Sequence, residues 1–231
     1  MWTGSACRGG PWRCWRITCA GAEALPAGRF ITFEGGEGAG KTSQARKLGA
    51  ALEARGVPVL LTREPGGAPG AEALRRLLLS PDVPFTPFAQ TLLHCAARAE
   101  HVERTILPAL RAGTWVICDR FADSTMAYQG WGLGVDRTMI ATLGAMIGLV
   151  PDLTIILEVS PETAAARLAA RADAPDRYER LGADFHARVA EGFRAIARDE
   201  PGRCALVDAN GDTEAVQRAI FELVRERLAI A

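Results

Sequence analysis

The octapeptide Gly35-Gly36-Glu37-Gly38-Ala39-Gly40-Lys41-Thr42 constrains this chain more than any other feature. It fits G-x-x-x-x-G-K-[ST], and each fixed position has a physical reason. The glycines let the backbone bend close around a chain of phosphates with its N–H groups turned inward. A helix starting at Lys41 aims its positive dipole end at the same anion. The Lys41 ammonium then reaches the β- and γ-phosphates, and the Thr42 hydroxyl is placed to ligate Mg2+. With 24 Gly, two Lys and 20 Ser+Thr in 231 residues, a chance match has a probability of roughly 0.002. The loop also falls between a β-rich run, Arg29–Glu34, and a helical stretch, Lys41–Arg55, as binding of a nucleoside triphosphate requires.

The rest of the chain continues this alternation. Apolar runs at Val57–Thr62, Thr114–Cys118, Asp152–Val159 and Cys204–Asp208 predict four more strands. Helical patterns fill the gaps: one ending near Leu79, a long one over Phe88–Arg111 bent near Pro108, then Asp136–Leu149, Pro161–Ala170, about 182–199 and about 213–229. Five mostly apolar strands separated by helices predict an α/β fold, a five-stranded parallel sheet covered on both faces. Residues 29–231 read as one domain. Residues 1–28 differ: they hold Trp2, Trp12 and Trp15 with Cys7, Cys14 and Cys19, without apolar periodicity. Only Ile17, Thr18 and Cys19 separate their arginines from Ala20-Gly21-Ala22, too few for a secretory leader, so a disordered extension is expected.

Composition narrows the function classes. The 27 Lys+Arg balance 27 Asp+Glu, which argues against a polyanion-binding surface. No apolar run approaches the roughly 18 residues of a membrane span. The six cysteines form no C-x-x-C and read as reduced thiols of a cytoplasmic protein, with Cys118 a buried small hydrophobe.

A phosphate loop leaves three uses open: a kinase of small molecules, a GTPase, or an ATPase switch or motor. The only lysines are Lys41 and Lys47, so no N/T-K-x-D sequence exists to read guanine. At the end of the third strand Asp119 suits a Mg2+-linked carboxylate, but Arg120 follows at once and sets a phosphate-seeking fork beside it. A second anion held near Mg2+ fits transfer to a phosphorylated acceptor better than hydrolysis. The other strand-end loops carry Arg63-Glu64-Pro65-Gly66-Gly67, and Ser124 through Gly130. Beyond the fourth strand come Arg167, Arg171 and Asp176-Arg177-Tyr178-Glu179. In open α/β sheets ligands gather at those strand ends.

Together with Phe33-Glu34 before the loop, Ala97-Arg98, and Asp119-Arg120-Phe121 with Ser124 and Ala127-Tyr128-Gln129-Gly130, these motifs make residues 29–231 resemble bacterial thymidylate kinase. The resemblance implies the P-loop NTPase fold with a lid at about 167–180, and transfer of the ATP γ-phosphoryl group to dTMP with Mg2+. It implies a homodimer as well. The residues Gly35 to Thr42, with Ser43, would hold ATP. Glu37 would stand near the deoxyribose 3′-hydroxyl, Arg98 would hydrogen-bond the thymine, Tyr128 would crowd the 2′ position, and Gln129 would lie by sugar and base. Arg63 and Arg120 would clamp the acceptor phosphate, with Pro65, Ser124 and Glu179 also lining the acceptor site. Thr42 and Asp119 would serve the metal. Lys41, Arg120, Arg171 and Arg177 would be the catalytic cations, the last two carried by the lid. His94 stands where the family usually has a phenylalanine that stacks on thymine. The alternatives are another nucleoside-monophosphate or deoxynucleoside kinase on this scaffold, or an ATPase switch.

Other charged residues read as ordinary. Arg75, Arg76, Arg104, Arg188, Arg194 and Arg198 are expected on solvated helix faces, and His101 and His186 on helix surfaces. Asp123 is expected to cap a helix rather than join the metal site.

Overall fold

The structure, a computed structural model, describes residues 28–80, 83–170 and 177–229. The expected extension therefore lies, Gly28 apart, outside the described residues. Five parallel strands run β1 (Phe30–Gly35), β2 (Val59–Arg63), β3 (Trp115–Asp119), β4 (Leu153–Glu158) and β5 (Cys204–Asp208), ordered β2-β3-β1-β4-β5. Helices α1 (Lys41–Glu53), α2 (Pro69–Leu79), α3 (Pro87–His101), α4 (Leu107–Arg111), α5 (Ala122–Thr125), α6 (Arg137–Ile147), α7 (Pro161–Ala169), α8 (Ala183–Asp199) and α9 (Thr213–Leu228) cover both faces. No helix among the described residues is long and apolar enough to cross a membrane.

The strand alternation explains the two-sided core. Ile31 and Phe33 of β1, Ile117 and Ile155 pack with Leu48, Leu52 and Ile220 of α1 and α9. Phe30, Val116 and Cys118 face the other way, against Ile106, Leu110 and Phe121, and Cys118 is fully buried. The same face carries the polar pair Thr32 Oγ1 and Thr154 Oγ1, 2.9 Å apart. Strand β2 differs from expectation: it is a half-exposed sheet edge, with Leu61 at 45% exposure. Its apolar run carried no sign of where in the sheet it would fall.

The long helix expected over Phe88–Arg111 starts one residue earlier, with Thr86 as its N-cap, and is not α-helical throughout. Residues Val102–Ile106 form a π-helical turn, and the Leu107 N–H reaches back to Val102 O. Pro108 supplies the reason: it lacks the N–H that Arg104 O would accept, and its ring crowds that carbonyl. A wider turn absorbs the misfit. A second π-helical stretch, Met126–Gly132, follows α5. Asp123 does not cap. It is buried and held by Arg203 at 2.7 and 2.8 Å, with Thr154 donating at 3.3 Å.

Because all strands are parallel, Gly35, Arg63 and Asp119 end at one edge of the sheet. The pairings Phe33 with Asp119 and Arg63 with Asp119 bring three of the expected site loops side by side.

Candidate active site

A cavity of about 270 Å³ opens at this edge. One wall is the phosphate loop. Gly35 has φ 129°, and a Cβ there would lie 2.4 Å from Leu157 O, so only glycine lets the loop leave β1 against β4. Gly40, at φ 90°, turns the chain into α1. The Lys41 side chain folds back beneath the loop, donating to Gly35 O at 3.1 Å and Gly36 O at 2.7 Å. Burial and neighbouring Arg120 bring its ammonium down to about 8, against the pull of Glu37 and Asp119. The Thr42 hydroxyl donates to Asp119 Oδ2. Hydroxyl and carboxylate oxygens side by side are the hard donors Mg2+ takes from protein when phosphates and water supply the rest. Among the described residues no denser cluster of His, Cys, Asp or Glu competes with them.

Arg120 dominates the middle of the cavity. Its backbone is left-handed at φ 71°, a conformation that costs a non-glycine residue energy and that no sequence pattern announced. The guanidinium donates to Gly35 O at 3.1 Å, Ser124 Oγ at 3.2 Å, Tyr128 Oη at 3.2 Å and Glu37 Oε1 at 2.7 Å. Tyr128 Oη also donates to Glu37 Oε1 at 2.8 Å. Burial alone would push the Glu37 carboxyl up, but Arg120 and Lys41 reverse it and hold it at about 2. Behind this triangle, Glu34 accepts from Phe121 N, Ser124 N and Ser124 Oγ at 2.8, 3.3 and 2.5 Å. Complete burial and nearby Asp123 outweigh those donors and push its carboxyl up to about 8. Two carboxyls on one short segment are thus driven in opposite directions, a hallmark of functional sites.

The far wall is built from α3, the 64–67 loop and the second π-helical stretch. His94, Arg98 and His101 share one face of α3 by their four- and three-residue spacing. Arg98 is buried, and its Nε donates to Glu64 Oε2 at 2.8 Å, its Nη2 to Phe121 O at 3.0 Å and Thr125 Oγ1 at 2.9 Å. His94 Nε2 lies 3.1 Å from Tyr178 Oη, which also takes a hydrogen bond from Gln129 Nε2 at 2.9 Å and sits 3.2 Å from Gln90 Oε1. Burial, then Arg98 and Arg120, hold His94 down to about 3, so it presents a neutral ring.

Most expected site residues converge here: Glu37, Lys41, Thr42, Ser43, Arg63, Pro65, His94, Arg98, Asp119, Arg120, Ser124, Tyr128, Gln129 and Glu179 all line the cavity. Arg63 lies at its rim, paired with Glu72 at 3.2 Å. Arg177 is not among the lining residues. It donates to Val83 O at 2.5 Å, so in this conformation the cations on the main-cavity side of the loop, among the described residues, are Lys41 and Arg120. Arg171 and Asp176 lie outside the described residues.

A second cavity, of about 280 Å³, opens on the other side of the loop, between Gly38, Ala39, Gly40, Arg167 and Ala209. Arg167 donates to Ala209 O at 2.8 Å and reaches toward Ala39 O at 3.4 Å, tying α7 to the loop.

Two expectations need correcting here. His101 is not on the surface: it is fully buried, with Nδ1 3.1 Å from Glu64 Oε1 and Nε2 2.8 Å from Thr62 Oγ1. Arg75 is no solvated side chain, since it lines the main cavity and donates to Pro65 O at 2.7 Å. Arg188 is exposed as expected, and it also donates to Gly132 O at 3.0 and 3.2 Å. For His101 the signal was available: three residues beyond Arg98, it had to share that residue's helix face.

Comparison with known proteins agrees with this geometry. The family model for thymidylate kinase matches residues 33–220. A thymidylate kinase of Gluconobacter oxydans is 50% identical over 207 residues, covering 88% of this chain and 97% of its own. One from Caulobacter vibrioides is 48% identical over 209 residues, covering 89% of this chain and 100% of its own. The crystal structure of thymidylate kinase from Ehrlichia chaffeensis superposes with a TM-score of 0.70 at 33% identity, covering 86% of this chain and all of that one.

Proposed function

We infer that this chain, which belongs to the thymidylate kinase family, transfers the γ-phosphoryl group of ATP to dTMP, giving dTDP and ADP. The observation that carries the residue assignments is that the phosphate loop and the Arg98–His94 wall line one cavity. An acceptor spanning it would put its phosphate near Arg120 and its base near Arg98. ATP would approach from the Gly38–Arg167 side, its triphosphate threading the loop.

The chemistry asks for little covalent help. The P–O bond between the γ-phosphorus and the β-bridging oxygen breaks as an oxygen of the acceptor phosphate bonds to that phosphorus. The acceptor oxygen is already largely ionised at neutral pH, so no strong base is required. The demand is on position and charge. Lys41 supplies a buried cation at the loop, and Arg120 supplies a forked donor between loop and acceptor. Glu37 fixes Arg120 through a 2.7 Å bond and, ionised, is suited to accept from a sugar hydroxyl. Thr42 and Asp119 would hold Mg2+, which would neutralise charge on the phosphate oxygens. Arg63, Pro65, Ser124, Tyr128, Gln129 and Glu179 complete the acceptor site. A role for Arg177 in transfer requires a conformation other than this one.

Two further readings follow. The exposed Phe88 and Leu92 of α3, with Met139 and Met146 of α6, form apolar surface on neighbouring helices and support a homodimer. Free, buried Cys95, Cys118 and Cys204 suit the reducing cytoplasm.

The function is tested by incubating the protein with γ-labelled ATP, Mg2+ and dTMP. Label should move to dTDP, with little release as inorganic phosphate when dTMP is omitted. Vigorous acceptor-free hydrolysis would instead mark an ATPase.

A further inference from the structure

An arginine distinguishes bases only if its N–H groups are aimed, and Arg98 is aimed by a chain of buried hydrogen bonds that runs through Glu64 to His101, away from the cavity. We propose that Glu64 and His101 are positioning residues that fix Arg98 for discrimination of the acceptor's base. This rests on the reading of Arg98 as the base contact.

The geometry is a chain of buried hydrogen bonds. Arg98 Nε is held by Glu64, and Nη2 by Phe121 O and Thr125 Oγ1, so three bonds fix the guanidinium plane. The ring of Phe121 lies 5.1 Å from its carbon. Among the described residues Nη1 has no protein hydrogen-bond partner, on a side chain that lines the cavity. Glu64 is fixed in turn. Its second oxygen accepts from His101 Nδ1, because a carboxylate facing Arg98 can only accept. The other ring nitrogen, Nε2, lies 2.8 Å from Thr62 Oγ1, so His101 is held from both sides. Side-chain exposures of 4% for Arg98 and Glu64 and 0% for His101 bury this chain almost completely. Gly67 is part of it: a Cβ there would lie 2.3 Å from His101 Nε2, so glycine lets the loop seat against the ring.

The consequence concerns specificity. Thymine offers a carbonyl acceptor at C4, where cytosine offers an amino donor. A fixed N–H donor rewards the first and is left facing a second donor by the other. Let the guanidinium swing and a water or another rotamer relieves that clash. Loss of Glu64 or His101 should therefore erode preference between bases, not merely stability.

The experiment compares kcat/KM for dTMP and dCMP, KM for ATP, and Tm in Glu64→Gln, His101→Leu, His101→Asn and Arg98→Ala. Glu64→Gln should raise KM for dTMP about tenfold and cut the dTMP-over-dCMP preference about tenfold, with KM for ATP within about twofold. His101→Leu, which keeps the Glu64–Arg98 ion pair, should act in the same direction by about threefold. His101→Asn, whose amide can replace Nδ1–H, should stay within about twofold of the parent. If Glu64→Gln does not fold, His101→Leu against His101→Asn decides. Lowered Tm with unchanged base preference in these variants, while Arg98→Ala collapses that preference, overturns the positioning role alone. If Arg98→Ala also leaves the preference unchanged, the base-contact reading fails and the inference falls with it.

Discussion

The two ends of the cavity are built in opposite ways. At the phosphate end one contiguous run of eight residues supplies the loop, a single helix start aims it, and Asp119 and Arg120 at the end of β3 stand beside it. At the base end the walls are side chains from distant parts of the chain: Glu64, Arg98, Thr125, Gln129 and Tyr178. A phosphate is alike in every nucleotide, so a glycine turn with its N–H groups and a few neighbouring cations can serve any of them. A base must be told from other bases, which needs particular donors at fixed angles, and those come from side chains held by other side chains. The phosphate end should therefore control rate and the base end should control choice of acceptor.

The sharpest way to break that contrast is Lys41→Met, which should lower kcat by about a thousandfold while leaving KM for dTMP within about twofold. Steady-state kinetics with both substrates varied would check it. A large rise in KM for dTMP would mean that the two ends are not separable. Next in size, Arg98→Ala should raise KM for dTMP about thirtyfold and KM for ATP less than about twofold; equal effects on both would remove Arg98 from the base. Tyr128→Phe lies on the boundary. Glu37 and Arg120 keep their mutual bond without its hydroxyl, so kcat/KM for dTMP should fall only about fivefold.

The smallest effect is one of pH on stability, and it too separates the ends. The Glu34 carboxyl is raised by burial from 4.5 to about 8, so the folded state keeps a proton that the unfolded chain releases. Its contribution is full below 4.5 and is lost as pH rises through 8. His94 runs the other way: burial lowers it from 6.5 to about 3, so its contribution is complete above 6.5 and is lost as pH falls through 3. Lys41, lowered by burial from 10.5 to about 8, gives a contribution gained only as pH rises from 8 to 10.5. Between 6.5 and 8 Glu34 acts without the other two. Chemical unfolding across that window should show stability falling by up to about 1.4 kcal/mol per pH unit. Glu34→Gln should flatten the fall. A slope that survives the substitution would assign it to another group.

The same contrast explains what could be read before the structure. The strands and the phosphate loop follow from local periodicity and a contiguous motif, with Cys204–Asp208 placed to the residue, whereas the order of the strands in the sheet does not. The motifs named the side chains that converge on the cavity. What periodicity could not carry was the company those side chains keep. The spacing from Arg98 places His101 on the same helix face, but nothing local reveals that Glu64 lies against it. Asp123 looked like a cap because its partner Arg203 is 80 residues away. The π-helical turn after His101 follows from Pro108, but the sequence said only that the helix must bend there. Arg177 belongs to a motif whose role implies a position this conformation does not give it.

The central claim is that one cavity holds a phosphate at one end and selects a base at the other. ADP release measured with ATP and, separately, dTMP, dUMP, dCMP, AMP, GMP or no acceptor tests it most directly. The expected result is fastest turnover with dTMP, dCMP slower by at least about a hundredfold, and near silence without an acceptor. Comparable rates across the panel, or release that ignores the acceptor, would contradict it.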